Sequence, residues 1–356
     1  MALPTYRSQQ WLFDTAAGRY DVDLAISGME ARSVERLLPD LDAKAPYDRD
    51  RGSEPLRQAI ADRYGVGADQ VLITHGAQEA LYLSYAALLE PGDVVVARTP
   101  GWQQTLDLPA RFGASTRTVD IDLSTNDRDG AARTVEAFGP DARIALLNSP
   151  HNPTGLTWDE AHWKTLAAGL AEHDVLLIND EEYLTDESQS TVGSVPDSAT
   201  VSSLSKVYGF PGLRLGWLVG PADVVEACIN YRRYTTISNS PLLESLALAV
   251  LRDSARYLDE YHERLATGWR IFRAWASEFP QLSPVEPQGT PFTLARIELD
   301  LSSIALATRL LEDERLLVFP GDVFGAPGYL RISYARPEPL LRDGLDRLGR
   351  VLRAAR

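Results

Sequence analysis

The chain has 356 residues, of which 44% are hydrophobic and 24% charged, and its formal net charge is −15. This length predicts one large domain with a smaller one, and the acidic charge balance argues against nucleic acid or an anionic membrane surface as a partner. A single cysteine, Cys228, excludes an internal disulfide and argues against a cysteine-based metal cluster, and without a long apolar run we expect a cytoplasmic protein.

Three segments are expected along the chain. Residues 1–45 are interpreted as an N-terminal arm with part of a small domain, residues 46–255 as a large domain, and residues 256–356 as a C-terminal small domain. Strand and helix patterns alternate from about residue 71 to residue 219, which predicts an α/β fold with a mostly parallel sheet and helices on both faces.

Two sequence patterns predict particular helices. Thr157 and Glu160 have the spacing of a capping box, which predicts a helix that begins at Thr157 and runs to about Glu172. An amphipathic pattern from Tyr257 to Trp275 predicts a long, solvent-exposed helix between the domains. Short strands with intervening helices then predict an α+β small domain.

Polar and aromatic side chains follow several predicted strands at their carboxyl ends. After the strand at residues 70–74, the run His75-Gly76-Ala77-Gln78 opens a helix, whose free amides favour an anion. The residues that follow the later strands are Trp102, Asn152, Asp180 and Tyr183, and Ser203 is the last residue of the strand before Lys206. Because open α/β sheets bind ligands just outside these strand ends, we expect the residues to form one site.

Lys206 stands at the centre of this pattern. It is one of three lysines, with Lys44 and Lys164, and it is followed by a Gly/Pro-rich turn and then Arg214. A partly desolvated lysine is a competent nucleophile toward an aldehyde, and an arginine with serine hydroxyls suits a phosphate. An aldehyde and a phosphate on one molecule indicate pyridoxal 5′-phosphate (PLP); a surface lysine in a glycine-rich loop is the alternative.

Four motifs in the chain, SLSKVYGFPGLRLGW, NSPHNPTG, NDEEY and LRISYA, together resemble the class I/II aminotransferases, which are fold-type I PLP-dependent enzymes. The resemblance covers nearly the whole chain, with the motifs in the family's order. It implies a large domain with a sheet of the seven-stranded type and a small α+β domain.

The resemblance implies a role for each residue that matches a motif. Lys206 would hold PLP as a Schiff base and move the substrate Cα proton. Asp180 would keep the pyridine nitrogen protonated, and Tyr183 and Asn152 would bond the phenolic oxygen of the ring. Trp102 would stack on the ring.

The phosphate and the substrate are assigned in the same way. The residues implied to hold the phosphate are Gly76, Ala77, Gln78, Ser203, Ser205 and Arg214. Tyr47 would reach the phosphate of a neighbouring subunit, which implies a homodimer with shared active sites. Arg331, with Asn152, would clamp the substrate α-carboxylate, and Gly28 would line the same pocket.

Two reactions remain open at this point. The first is ordinary transamination between an α-amino acid and a 2-oxo acid. The second is elimination and cyclisation of an arginine-derived amino acid in natural-product biosynthesis, since several segments resemble the capreomycidine synthase group.

Two observations bear on this choice. Tyr183 in the DxxY pattern favours transamination, whereas an acidic pocket for a guanidinium would favour cyclisation. Glu30, Glu181 or Glu182 would supply that pocket, although Glu181 and Glu182 are otherwise interpreted as a solvated edge and a sheet contact.

The sequence argues against a metal site and against a role as a gene regulator. None of the five histidines has metal-ligand spacing, so no metal site is expected. A PLP-binding gene regulator would need a DNA-binding domain, for which this acidic chain has no room.

Overall fold

Three sheets organise the chain in the computed structural model, which describes residues 3–40 and 49–354. The strands are β1 (Val22–Asp23), β2 (Val71–Thr74), β3 (Val94–Thr99), β4 (Ser115–Asp120), β5 (Ala142–Asn148), β6 (Leu176–Asp180), β7 (Ser198–Ser203), β8 (Gly216–Val219), β9 (Leu282–Pro284), β10 (Phe292–Ile297), β11 (Leu316–Leu317), β12 (Phe319–Pro320) and β13 (Tyr329–Ser333). The helices are α1 (Arg7–Gln10), α2 (Glu54–Tyr64), α3 (Ala77–Leu88), α4 (Gln103–Asp107), α5 (Gly130–Glu136), α6 (Glu160–His173), α7 (Thr191–Ser194), α8 (Ala222–Arg232), α9 (Pro241–Arg252), α10 (Ser254–Ala276), α11 (Ser303–Glu314) and α12 (Glu338–Ala354).

Within the described residues, the large sheet has seven strands in the order β2-β8-β7-β6-β5-β3-β4. β8 runs antiparallel to both of its neighbours, and the remaining pairs are parallel. This confirms the predicted α/β class and the mostly parallel sheet.

Both faces of the large sheet are covered, which explains why its strands are nearly continuous apolar runs. In β3, Val95 packs in a core with Leu81 and Leu83 of α3, and the next residue, Val96, packs in the opposite core with residues of α6. Successive side chains of a strand point to opposite faces, so an apolar run fills two cores at once.

The C-terminal residues form a second unit. Among the residues that the structure describes, β12, β13, β10 and β9 make a four-stranded antiparallel sheet in that order. β1 pairs with β11 in parallel, Val22 opposite Leu316, so part of the N-terminal segment lies with this unit. The domain boundaries at residues 45/46 and 255/256 stay predictions, and the first of them lies outside the described residues.

The long helix α10 links the two units. Its Tyr257 and Tyr261 are buried in the core beside the large sheet, whereas Ile271 and Phe272 are buried in the C-terminal core. The prediction of a long helix between the units agrees with this, but one side of the helix is buried rather than solvent-exposed.

The predicted start of α6 at Thr157 is wrong. The N-cap is Asp159, whose side chain accepts a hydrogen bond from the backbone N–H of His162 at 3.0 Å. The Thr157 hydroxyl lies 2.9 Å from the Ser149 hydroxyl instead, so a tertiary contact takes the group that a capping box would use. None of the helices in the described ranges has the length and apolar character needed to cross a membrane.

Candidate active site

The register of the large sheet brings polar residues together at the carboxyl ends of its strands. Asn148, the last residue of β5, pairs with Asp180, the last residue of β6, and Asp180 pairs with Val201 of β7. β7 ends two residues later at Ser203, and the chain turns there toward Lys206. A parallel sheet therefore forms the floor of one site, as the strand-end pattern predicted.

A cavity of about 540 Å³ lies above this floor. Ten of the residues predicted for the site line it: Ala77, Gln78, Trp102, Asn152, Asp180, Tyr183, Ser205, Lys206, Arg214 and Arg331. Residues of the N-terminal arm, including Gln9, Leu12 and Phe13, line it as well. The size suits a small-molecule ligand.

Two other predicted site residues, Ser203 and Gly28, do not line the cavity but contact residues that do. Ser203 is buried and its hydroxyl accepts a hydrogen bond from the backbone N–H of Ser205 at 3.0 Å. At Gly28, an added Cβ would lie 3.0 Å from the Cα of Lys206, so the glycine allows the N-terminal segment to pack against the Lys206 backbone. Tyr47 lies outside the described residues.

Lys206 is a half-buried amine with a specific partner. Its Nζ donates to the Ser27 hydroxyl at 3.0 Å. Burial lowers the pKa of Lys206, and the nearby carboxylate of Glu182 opposes this effect. A lysine of this kind loses its proton more easily than one in water, which suits it to attack an aldehyde.

Asp180 and Glu182 are two neighbouring carboxyl groups that line the cavity together with Lys206. Removal from water raises the pKa of Asp180 to about 8, and repulsion from Glu182 adds to the shift. The pKa of Glu182 is raised by burial as well, while the positive charge of Lys206 lowers it.

Both Glu181 and Glu182 are buried, so the interpretation of this pair as including a solvated edge is wrong. Glu181 accepts hydrogen bonds from Asn179, Ser190 and Thr191 and does not line the cavity. Glu182 lines it. Glu30 lines a different cavity, and its carboxylate lies 3.8 Å from the guanidinium of Arg336.

Arg331 is held rigidly at the other side of the cavity. Its Nη1 donates to the Asn152 side-chain oxygen and its Nη2 to the Ala25 carbonyl, both at 2.7 Å. Three aromatic rings surround the guanidinium, those of Phe292, Phe319 and Phe324. Burial lowers the pKa of Arg331 to about 10, so it remains positively charged at neutral pH.

A cradle for an anion lies at the start of α3. Gly76 has φ 80° and precedes the helix, and a Cβ at this position would lie 2.6 Å from Nη2 of Arg214. Only glycine combines this conformation with so close an approach. The free amides at the helix start and the Arg214 guanidinium thus converge on one point of the cavity wall.

Sequence reasoning missed Ser27 and Asn148. Ser27 contacts Lys206 across 179 positions of the chain, and no local pattern marks it. Asn148 donates its side-chain N–H to the Asp180 carbonyl at 2.7 Å, and its oxygen accepts from the Asn152 backbone at 2.6 Å. Its place at the end of a predicted strand is a signal that was available.

The pKa of Asp180 makes the stability of the cofactor-free chain depend on pH. The folded chain keeps this proton up to about pH 8, whereas the unfolded chain releases it near the usual value of 3.8, so the carboxyl group disfavours folding increasingly as pH rises between the two. We therefore expect Asp180→Asn to raise the melting temperature of the cofactor-free protein by a few degrees, more at about pH 8.5 than at about pH 5.5.

Thermal unfolding at both pH values measures this effect, with Asn substituted at the exposed Asp346 as the control. An Asp180→Asn protein whose gain is the same at both pH values contradicts the assignment of the raised pKa.

Comparison with known families settles the identity of the chain at family level. The family described as aminotransferase class I and II matches residues 17–348. The chain belongs to this family. It is a PLP-dependent aminotransferase in the broad sense of the family, and the resemblance found in the motifs is confirmed.

Individual relatives of the chain are aminotransferases or a related synthase. The chain is 31% identical to arginine–pyruvate transaminase AruH of Pseudomonas aeruginosa, over 87% of both chains, and 32% identical to capreomycidine synthase of Streptomyces vinaceus, over 85% of this chain and 79% of that one. It superposes on a PLP-dependent aminotransferase from Streptococcus suis with a TM-score of 0.94 and 26% identity, covering 100% and 99% of the two chains.

The residues of the cavity fit the family's cofactor. The Gly76 cradle with Arg214 suits the phosphate and the Lys206 amine suits the aldehyde. The Asp180 carboxyl group, whose pKa is raised by burial, lines the same cavity and suits a cationic ring nitrogen. Nε of Arg331 is buried without a hydrogen-bond partner in the described chain, which fits the substrate carboxylate that the resemblance assigns to this residue.

Proposed function

We propose that the enzyme transfers the amino group of an α-amino acid to a 2-oxo acid, with Lys206 as the reacting amine. One observation carries the proposal: Lys206, Asp180, Arg214 and Arg331 line a single cavity. Lys206 suits covalent attachment of the cofactor, and Asp180 suits the charge on its ring. Arg214 suits the phosphate, and Arg331 suits the carboxylate of the substrate. PLP supplies an electron sink for the pair of electrons left when the substrate Cα proton is removed.

The chain's own residues would divide the remaining work. Lys206, with its lowered pKa, would accept and return the Cα proton. Arg331 would bind the α-carboxylate, and its fixed bonds to Asn152 and Ala25 would orient the substrate without further ordering. Asp180 would hold the positive charge at the ring nitrogen, and Trp102 would cover one face of the ring.

Phosphate binding is proposed for the cradle at the start of α3. Arg214 with the backbone amides of Ala77 and Gln78 would contact the phosphate, and the hydroxyls of Ser203 and Ser205 would complete the site. Tyr183 would bond the phenolic oxygen; its ring is fixed edge-on against Phe292 at 5.3 Å.

The substrate class is proposed from relatives and from the cavity. An arginine–pyruvate transaminase at 31% identity suggests arginine as a first amino donor and pyruvate as a first acceptor. Incubation of the PLP-loaded enzyme with single amino acids and pyruvate, followed by measurement of 2-oxo acid and alanine, tests the proposal. Formation of both products in equal amounts supports it, and their absence with every amino acid rejects transamination.

Cyclisation is a second candidate, favoured by the 32% identity to capreomycidine synthase. A substrate guanidinium would then need an acidic partner. Glu30 and Glu181 do not line the cavity, and Glu182 lies near Arg214, whose charge would repel a guanidinium. Mass spectrometry of products from hydroxyarginine distinguishes the candidates, because cyclisation loses water without producing a 2-oxo acid.

A homodimer is also proposed. Tyr234 and Ile237 are exposed by 86% and 52%, and these apolar side chains lie close to Thr236, whose hydroxyl donates to Glu79 of α3. A second copy would cover them, and Tyr47 of that copy would reach the phosphate. Sedimentation equilibrium is expected to give twice the chain mass, and a monomer at micromolar concentration would contradict the proposal.

A further inference from the structure

Glu182 is a charged group of the cavity for which the proposed reaction has no use so far. It follows Asp180 by two residues, lines the cavity and is 8% exposed. Its Oε2 is buried and has no hydrogen-bond partner in the described part of the chain. A buried carboxylate oxygen without a donor costs free energy, so a compensating charge is needed nearby.

Four ionisable groups surround Glu182 and Lys206. The positive charges of Lys206 and Arg214 and the hydroxyl of Ser203 each lower the pKa of Glu182. Asp180 lies nearby but keeps its proton up to about pH 8, because burial raises its pKa, and the charge of Arg331 lowers the pKa of Lys206. Tyr183 is buried with a raised pKa and is therefore neutral. Glu182 and Lys206 line the same cavity, and the carboxylate of Glu182 opposes the lowering of the Lys206 pKa by burial.

Binding of a substrate cation is a poor explanation for Glu182. The carboxylate lies with Ser203 and Arg214, at the side proposed for the phosphate. Arg331, which would bind the substrate carboxylate, is held against Asn152 and Ala25 instead. The carboxylate of Glu182 therefore lies at the end of the cavity that is proposed for the cofactor, away from the proposed site of the substrate carboxylate.

We propose that Glu182 is a positioning residue that holds a proton on the nitrogen of Lys206 while that nitrogen is joined to PLP. The inference rests on the proposed function. When Lys206 condenses with the aldehyde, its nitrogen forms a double bond to the aldehyde carbon and one water leaves. A nearby carboxylate favours the protonated form of the resulting nitrogen, so this form persists to higher pH than it would without Glu182.

The test is a pH titration of the absorbance of the full-length protein loaded with PLP. Glu182→Gln removes the charge at nearly constant volume, and we expect its spectral transition to move to lower pH by about one unit, a tenfold loss of proton affinity. Glu182→Asp keeps the charge and should restore most of the shift. A Glu182→Gln transition at the wild-type pH overturns the inference.

A matched control comes from the adjacent residue. Glu181 is also buried, but its carboxylate accepts hydrogen bonds from Ser190 and Thr191 and does not line the cavity. Glu181→Gln should leave the transition in place, and a shift as large as that of Glu182→Gln would contradict the inference. A wild-type protein that shows no cofactor absorbance rejects the proposed function itself, which keeps the two failures apart.

A second measurement covers the case in which Glu182→Gln does not fold. The rate at which cofactor-free protein captures PLP depends on the unprotonated fraction of Lys206. In Glu182→Ala, the pH midpoint of this rate should fall relative to wild type, because the charge that holds the proton is gone. An unchanged midpoint also overturns the inference, without any use of catalytic activity.

Discussion

Replacement of Lys206 by alanine is expected to lower kcat by at least about 10⁴-fold, because it removes both the covalent attachment and the group that moves the proton. The fold should persist, since Nζ makes one described hydrogen bond, to Ser27. PLP should still bind through the Arg214 cradle, but it should wash out on dialysis. Steady-state kinetics and the absorbance of dialysed protein measure the two effects.

Lys164→Ala is the matched control for this experiment. Lys164 is 75% exposed and pairs with Glu160 of the same helix at 2.7 Å, so its loss should leave both the rate and the spectrum unchanged. A Lys206→Ala protein that retains turnover within tenfold of wild type contradicts the role of Lys206.

Asp180→Asn is expected to lower kcat by about 10²–10³-fold with much less effect on cofactor affinity. The amide is close in size to the carboxyl group but carries no charge, so the ring nitrogen would lose the anion that keeps it protonated. Lys206 and Arg214 remain to hold the cofactor. Kinetics and a PLP titration of the cofactor-free protein separate the two quantities.

Asp107→Asn provides a control with the same chemical change. Asp107 accepts a hydrogen bond from Gln103 at 2.7 Å near the cavity but does not line it. Wild-type kcat in Asp180→Asn, or an equal loss in Asp107→Asn, would remove Asp180 from the proposed role. The same Asp180→Asn protein is expected to be more stable without cofactor, so activity and stability should change in opposite directions.

The sequence predicted the parts of the site that lie in local motifs. Lys206 with Arg214, and Asp180 with Tyr183, are close in sequence and follow strands, so strand periodicity alone places them at one edge of the sheet. Nine of the ten predicted residues that line the cavity belong to such motifs of the large domain. Arg331 joins them from the C-terminal unit, which only the family resemblance indicated.

The parts that sequence did not predict depend on packing between distant segments. Ser27 meets Lys206 because β1 pairs with β11 and brings the N-terminal segment across the site. The consecutive acids Glu181 and Glu182 suggest a solvated edge, but they are buried because β6 lies at the centre of the sheet. The same limit applies to Thr157, whose hydroxyl is used by Ser149.

The central claim is that Lys206 reacts with the aldehyde of PLP in this cavity. The most direct test is reduction of the PLP-loaded protein with borohydride, followed by digestion and mass spectrometry of the peptides. The account predicts one modified lysine, Lys206, among Lys44, Lys164 and Lys206. An unmodified Lys206, or modification of Lys164 to the same extent, would contradict it.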